Sequence, residues 1–304
     1  MADRIESILP QPPEVSLLTS AYPFPDEIAS FEKWGSQGVQ ARDLGCMGAY
    51  SERTLCADPD RTVFEPGEEQ CSSFFPLKTK LPHGEKTGKV DDEARWQEEA
   101  EAALAARLPY FVARELWTGA KTGSTSLQSA AEISTSDAQL PVTAIATALS
   151  DYEECSEGAK AFIHVPSVLV PYLEAHGFHE RRGDRYYTTA GHIIVPGPGY
   201  PNRAGAWGPY QDTRPPGPGE DGYDAGSYDA DLTAYYASGA EADAGQVWIY
   251  VSGIVEVPKP HVLPTQVQRH PLTQAYMVTP AAMTIHRFDG CCVFAALTTI
   301  PGNV

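Results

Sequence analysis

The amino-acid sequence predicts an α+β fold in which one long helix precedes shorter helices and then several strands. Residues 91–118 carry a helical apolar stripe, and residues 137–177 change from helical to strand-like and back to helical patterning. Four strand-like runs rich in β-branched and aromatic residues follow residue 184. This order differs from the regular strand–helix alternation of a nucleotide-binding domain, so it indicates a mixed α+β architecture.

The first 90 residues show little periodicity. Prolines in LPQPPE and YPFPDE favour extended backbone, and residues 1–48 otherwise hold isolated apolar anchors. This pattern predicts an arm without an interior of its own, which lies on another surface; a poorly ordered terminus is the alternative. Residues 49–90 combine extended runs with turn signals and predict a long hairpin or looped excursion.

Residues 91–118 are predicted to form a long helix that serves as a structural spine. Asp91 and Asp92 suit its positive N-terminal end, and Gly119 is a stop signal. Pro109 removes one backbone hydrogen bond, which predicts a kink. At ~1.5 Å per residue the helix is about 39 Å long.

The following region combines short elements with one long insertion. A polar linker precedes Asp137, which is predicted to cap a second helix that runs to Tyr152. The strand AFIHVP and a third helix that ends on Gly177 come next. Residues 201–245 are rich in glycine, proline, aspartate and tyrosine, which predicts an exposed insertion that is either a contact surface or a solvated loop.

The charge balance argues against sequence-specific nucleic-acid binding. The chain has 22 basic and 40 acidic residues and a formal net charge of -18. Such a chain repels phosphate backbones, whereas a nucleic-acid reader normally carries a basic stripe.

Two further patterns bear on the compartment. The sequence holds no uninterrupted apolar run long enough to span a membrane, and its N-terminus lacks the layout of a secretory signal. We therefore expect no membrane association. The six cysteines show no CxxC spacing, so they are predicted to be mostly free thiols in a reducing compartment, with Cys291 and Cys292 inside a buried strand.

The sequence carries no recognisable catalytic constellation, and we predict no catalytic residue, no cofactor and no metal site. His164, His176 and His179 are the candidate metal ligands, but they lack HExxH spacing. The serines of GSTS lack the pattern of a nucleophile elbow, and no helix follows the glycines of VPGPGYPNRAG. A metal-dependent hydrolase that uses the three histidines is kept as an alternative from another functional class.

Five stretches of the sequence share a pattern with one known family. They are the helix ending ARELWTGA, AFIHVPSVLVPYLEAHG, RYYTTAGHIIVPGPGY, QVWIYVSGIVEV and RFDGCCVFAALTTI. Together they resemble the major capsid proteins of tailed bacteriophages, which share the Hong Kong 97-like fold, particularly those of phages that infect actinobacteria. The resemblance covers roughly residues 90–304, and Phe288 stands where the family pattern has tryptophan.

The resemblance implies a domain layout. It comprises an N-terminal arm (1–48), an extended loop region (49–90), a peripheral domain with the spine helix (91–135), an axial domain (136–252) with the exposed insertion (201–245), peripheral-domain strands (253–289) and a C-terminal strand of the axial domain (290–304).

The function that the resemblance implies is structural and not enzymatic. Copies of the chain would assemble in the host cytoplasm into hexamers and pentamers of an icosahedral virion capsid. The shell would enclose double-stranded DNA without sequence-specific binding. Portal, scaffold and decoration proteins are candidate further partners, and an encapsulin-like compartment shell and a tail or decoration protein are the alternatives.

Five aromatic residues in the arm and loop are the candidates for contacts between subunits: Tyr22, Phe24, Trp34, Phe74 and Phe75. Packing inside the subunit is the alternative for each of them. In some relatives a loop lysine is linked covalently to an asparagine of a neighbour. Lys78 and Lys80 lie in this loop, but only Asn202 and Asn303 occur in the chain, so the sequence does not support such a link.

Overall fold

The structure is a computed structural model. It describes residues 11–25, 31–34, 39–42, 71–81, 83–86, 93–156, 158–218, 221–269, 276–290 and 292–302. The acids Asp91 and Asp92 and most of the predicted arm and loop therefore lie outside the described residues.

Seven α-helices lie in the described parts of the chain, and none of them is long and apolar enough to cross a membrane. They are α1 (Leu17–Ser20), α2 (Phe31–Trp34), α3 (Glu93–Thr118), α4 (Leu127–Ala130), α5 (Pro141–Cys155), α6 (Val170–Ala175) and α7 (Tyr228–Ala237); a 3-10 turn (Ser167–Leu169) precedes α6.

The strands form one large sheet and several smaller ones. They are β1 (Val39–Arg42), β2 (Cys71–Phe74), β3 (Leu77–Lys80), β4 (His83–Lys86), β5 (Glu132–Gln139), β6 (Phe162–Pro166), β7 (Glu180–Arg182), β8 (Arg185–Tyr187), β9 (Ile193–Gly197), β10 (Gly205–Tyr210), β11 (Gly239–Ala242), β12 (Gln246–Ser252), β13 (Val255–Glu256), β14 (His261–Arg269), β15 (Tyr276–Thr284), β16 (Arg287–Phe288) and β17 (Phe294–Thr299).

The large sheet has seven strands in the order β5-β17-β12-β6-β9-β8-β7. β5 is parallel to β17 and β6 is parallel to β9, whereas the other neighbouring pairs are antiparallel. Side chains along β12 alternate between two buried clusters: Trp248 and Tyr250 belong to one, and Val247, Ile249 and Val251 to the other. Both faces of this strand are therefore covered, which explains its almost uninterrupted apolar sequence.

Different helices cover the two faces. α5 places Ile145, Ala148 and Tyr152 on the face that carries Ile249. The end of α3 places Leu116 and Trp117 on the face that carries Tyr250. The large sheet thus lies between α5 on one side and the end of α3 on the other.

A second, four-stranded sheet packs against the N-terminal half of α3. Its long strands β14 and β15 pair antiparallel, and β3 and β4 both pair with the other edge of β15. Trp96 and Ala100 of α3 form a buried cluster with Val278 of β15. α3 therefore connects the two sheets, as a structural spine would.

The predicted helix over 91–118 is confirmed as α3. The residues of the predicted apolar stripe are buried, except Phe111, which is partly buried; the buried ones are Ala100, Leu104, Leu108, Val112 and Leu116. Pro109 lies inside α3, whereas the kink predicted there stays a prediction. The predicted stop is confirmed, because Gly119 has a φ of 63°, and a Cβ atom there would lie 2.4 Å from the Ser124 carbonyl oxygen.

Two local predictions were wrong. Asp137 lies in β5 and does not cap α5, whose first residue is Pro141. The linker before Asp137 contains α4 and the first residues of β5, which pairs with β17. Residues 201–245 also hold more structure than a loop. β10 and β11 pair antiparallel. α7, which lies between these strands in the sequence, packs on β10. Tyr210 and Tyr235 supply the buried contacts that the composition did not reveal.

The prediction of free thiols was wrong for two of the six cysteines. Cys155 ends α5, and Cys292 lies just before β17; the two form a disulfide. α5 packs against β17, which brings the two sulfur atoms together although 137 positions separate them in sequence. No spacing rule reveals such a pair. Cys291 lies outside the described residues.

The described part of the arm packs on its own chain. Leu17 is fully buried in the main core, and the backbone N–H and C=O of Tyr22 bond to Val255 O and Val257 N, respectively. Leu17, Ala21 and Phe24 therefore share the main core of the chain, and contact of the arm with neighbouring copies stays a prediction.

Candidate assembly surfaces and a central joint

The end of α3 is held by a buried carboxylate. Glu115 is only 2% exposed, and its oxygens accept hydrogen bonds from the backbone N–H groups of Lys121 and Thr122 and from Thr122 Oγ1. Thr122 Oγ1 also lies 2.6 Å from Ser124 Oγ. Because each acceptor is satisfied by donors in the next turn, the carboxylate fixes that turn against the helix.

The same turn holds the chain at the end of β2. Ser124 Oγ accepts a hydrogen bond from Phe75 N at 2.8 Å. Thr125 N donates to Ser73 O, and Ser73 N donates to Thr125 Oγ1. Residues 73–75 are therefore attached to the end of α3 by backbone and hydroxyl bonds rather than by a shared strand.

Trp207 connects this turn to the insertion and to the large sheet. Its carbonyl oxygen accepts from Trp117 Nε1 at 2.9 Å and from Tyr250 OH at 3.0 Å. Trp117 and Tyr250 also meet edge to face, with centroids 4.6 Å apart. Tyr210 OH donates to Thr118 O at 2.7 Å. We call residues 73–75, 115–125 and 207–210 the central joint.

The three histidines considered as metal ligands have separate partners. His164 is fully buried; its ring nitrogens lie 2.8 Å from Tyr200 OH and 2.9 Å from Ser252 Oγ. Burial lowers the pKa of His164 to about 3, so the ring is neutral. His176 Nδ1 bonds to Tyr172 O, and His179 packs on Tyr186.

These contacts give no support to the hydrolase alternative. Within the described stretches, no three metal-binding side chains converge on one point. Both ring nitrogens of His164 are already used for hydrogen bonds in the core, which is typical of a structural histidine.

The five predicted contact residues differ in exposure. Phe74 is fully buried and meets Phe288 edge to face, and Phe24 is buried beneath the Arg287 guanidinium. Tyr22 is partly buried and packs on Phe162. Phe75 is 39% exposed, whereas the side chain of Trp34 lies outside the described residues. The burial of Phe24 and Phe74 is thus explained within the subunit, and Phe75 is the most exposed of the four candidates whose side chains the structure describes.

Sequence reasoning missed most of the exposed apolar side chains. On β14, Val262 is 63% exposed and shares the outward-facing phase of its strand with Gln266 and Gln268, a sequence pattern that could have identified it. The others are spread over helices, strands and connections. They are Phe75, Tyr110, Ile133, Leu140, Val168, Tyr223, Ile254 and Met277.

Three strand edges add to these surfaces. β5, β7 and β14 each pair on one side only among the described strands. A free edge presents unpaired N–H and C=O groups to another chain. Edges and exposed apolar residues together provide several separate contact surfaces on one subunit.

A buried histidine close to the central joint predicts that the subunit becomes less stable at acid pH. His286 lies edge to face with Phe74, and burial lowers its pKa from 6.5 to about 4. The unfolded chain binds one more proton between these pH values, so stability falls as pH falls through them. His286→Leu should reduce this slope by up to about 1.4 kcal/mol per pH unit in urea titrations of the unassembled subunit. Equal slopes for both proteins would contradict the assignment.

Comparison with known proteins gives matches among solved structures alone. No family model and no curated protein matches the chain. The capsid of a native GTA particle aligns over 98% of this chain and 94% of that chain, with 10% identity and a TM-score of 0.50. The Gordonia phage Cozz structure aligns over 97% and 90%, with 12% identity and a TM-score of 0.45. The holo-SrpI encapsulin complex from Synechococcus elongatus aligns over 78% and 79%, with 8% identity and a TM-score of 0.42.

The alignment with the GTA capsid covers both sheets and the long helix that connects them. It therefore concerns the architecture as a whole and not one shared motif. As the sequence resemblance implied, the chain has the Hong Kong 97-like fold.

Proposed function

We propose that this chain is the major shell-forming protein of a tailed-phage capsid, and that it acts as a structural protein and not as an enzyme. Its copies form hexamers and pentamers that close into an icosahedral shell around double-stranded DNA. The single observation that carries this proposal is a capsid fold over nearly the whole length of both aligned chains.

The surfaces of the subunit fit this role. One chain that builds both five-fold and six-fold rings needs repeated contacts whose angle can change. The free edges of β5, β7 and β14 and the exposed apolar residues supply such contacts on different sides of the body. Small patches on several neighbours together give a stability that one patch lacks.

The charge of the chain fits an enclosing wall. A net charge of -18 repels the phosphate backbone, so packed DNA would not adhere to the shell as a whole. In this proposal the protein encloses DNA by forming a closed surface and reads no sequence.

The domain layout is part of the same proposal. Residues 1–48 would be the arm and residues 49–90 the extended loop that reaches a neighbour. The large sheet would lie around the ring centre, and α3 with the four-stranded sheet at the ring periphery. Portal, scaffold and decoration proteins would be further partners, assembly would take place in the host cytoplasm, and the finished location would be the virion.

Electron microscopy of the expressed full-length chain tests the proposal. We expect closed shells or sheets of hexamers, and nuclease-protected DNA inside particles isolated from infected cells. Shells from cells that carry a cargo enzyme and no phage genes would instead identify an encapsulin-like compartment. A stable monomer with measurable hydrolytic turnover would overturn the proposal.

Two adjacent residues provide a matched pair of variants for this experiment. Phe75→Ala should destabilise the subunit by only about 1 kcal/mol, because its ring is 39% exposed, yet it should raise the protein concentration needed for assembly. Phe74→Ala should instead destabilise the subunit by about 3–5 kcal/mol, because its ring is fully buried. Unchanged assembly of Phe75→Ala would remove Phe75 from the contact surface.

A further inference from the structure

A group of arginine and aromatic side chains lies where the chain after β9 crosses α3. Arg107, Tyr110 and Arg114 follow at steps of three and four, so they share one face of the helix. The crossing chain packs closely there, because a Cβ atom on Gly199 would lie 2.1 Å from Tyr110 O. Tyr110 itself remains 46% exposed.

Trp207 completes this group. The Arg114 guanidinium lies 4.2 Å from the centre of the Trp207 ring, and the exposed Arg203 guanidinium lies 6.0 Å from it. We call Arg107, Tyr110, Arg114, Arg203 and Trp207 the arginine patch. Arginine, tryptophan and tyrosine are the residues most enriched at the energetic centres of protein interfaces.

The positive charge of the arginine patch is not balanced within the described chain. Among the described residues, no carboxylate lies within ion-pair distance of Arg107, Arg114 or Arg203. Arg114 is half-buried, and burial together with Arg203 lowers its pKa. Its guanidinium nevertheless stays charged, so a carboxylate from outside would relieve an unfavourable arrangement.

The same chain carries an unbalanced region of opposite charge. No lysine or arginine occurs between Pro215 and Pro258. Within this region residues 221–231 hold four exposed aspartates, and among the described residues none of them has a cationic partner. These residues form the acidic segment: Asp221, Asp224, Asp229 and Asp231.

We infer that the arginine patch of one subunit binds the acidic segment of a neighbouring copy. Two complementary surfaces on one chain make a head-to-tail contact, which closes a ring when the rotation between copies allows it. Arginine suits this contact because its planar fork pairs with carboxylates in a bidentate manner. The inference rests on the proposed function and names the surfaces that join neighbouring subunits.

Charge reversal in the full-length chain tests this contact. Arg203→Glu should raise the protein concentration needed for assembly about tenfold at low salt, and less at high salt. Asp229→Arg with Asp231→Arg should impair assembly similarly, and all three changes together should restore it. Assembly is followed by light scattering and electron microscopy, and pairing of unassembled chains by sedimentation velocity.

The control is Lys259→Glu, which makes the same charge change at an exposed residue outside the patch. It should assemble like wild type, and thermal unfolding of unassembled Arg203→Glu should be unchanged because Arg203 is exposed.

Each contrary result has its own meaning. If wild type forms shells and Arg203→Glu assembles equally well, the inference is overturned but the proposed function is not. The same holds if Arg203→Glu assembles poorly and the aspartate changes do not restore its assembly. Loss of double-stranded DNA binding in Arg203→Glu would assign the patch to phosphate and also overturn it. Absence of wild-type shells would count against the proposed function. In that case sedimentation velocity would still show whether unassembled chains pair through the arginine patch and the acidic segment.

Discussion

Replacing Cys155 with serine is expected to lower the free energy of unfolding by about 4 kcal/mol. The Cys155–Cys292 disulfide closes a loop of 137 positions, and opening it restores conformational freedom mainly to the unfolded chain. The loop contains most of the large sheet, from β6 through β12. The expected loss is large compared with the total stability of a typical domain.

Guanidinium titration of the unassembled subunit, with and without a reductant, measures this effect. Wild type should lose the same free energy on reduction, whereas Cys155→Ser should not respond to the reductant. Cys155 is exposed at the end of α5, so serine there introduces no buried hydroxyl group. A wild-type protein that is equally stable under both conditions would show that the bond contributes nothing.

The parts of the fold that the sequence predicted are those with a local signal. α3 has an apolar stripe, a terminal glycine and enough length to outweigh one internal proline. β6, α6 and β12 were likewise found from apolar runs bounded by proline or glycine. In each case short-range pattern and tertiary packing favour the same structure.

The failures involve partners that are distant in sequence. Asp137 has a good capping side chain, yet β5 is a strand because β17 lies beside it. β10 and α7 form within a glycine- and proline-rich stretch because their tyrosines pack on each other and on the end of α3. Local composition cannot reveal a partner that lies about 90 residues away.

The candidate surfaces were predicted only in part. The adjacent rings of Phe74 and Phe75 have the same composition signal, and only the position of β2 decides which is buried. The arginine patch could not be predicted, because Arg114 looks like part of a solvated helix face until Trp207 is placed over it. The exposure of a side chain and its ion-pair partners depend on contacts between residues that are distant in the sequence, so no short stretch of sequence reveals them.

Truncation of Trp117 to alanine is the change that should affect the central joint most. The side chain is fully buried between Tyr200 and Tyr250, so its removal should lower the free energy of unfolding by about 3–5 kcal/mol. Residues 73–75, β10 and the large sheet all attach at this end of α3. We therefore expect a larger increase in hydrogen exchange at residues 73–75 and 205–210 than in β5, which packs against α5.

Trp117→Phe separates packing from hydrogen bonding in the same position. Phenylalanine keeps most of the ring but cannot donate to Trp207 O, which retains the hydrogen bond from Tyr250 OH. Because that oxygen is not left unpaired, the cost should be only about 1–2 kcal/mol. Denaturant titration of both variants, with hydrogen exchange by mass spectrometry, measures the difference. If Trp117→Ala unfolded at the wild-type denaturant concentration, or loosened β5 as much as residues 73–75, the joint would not hold these parts together.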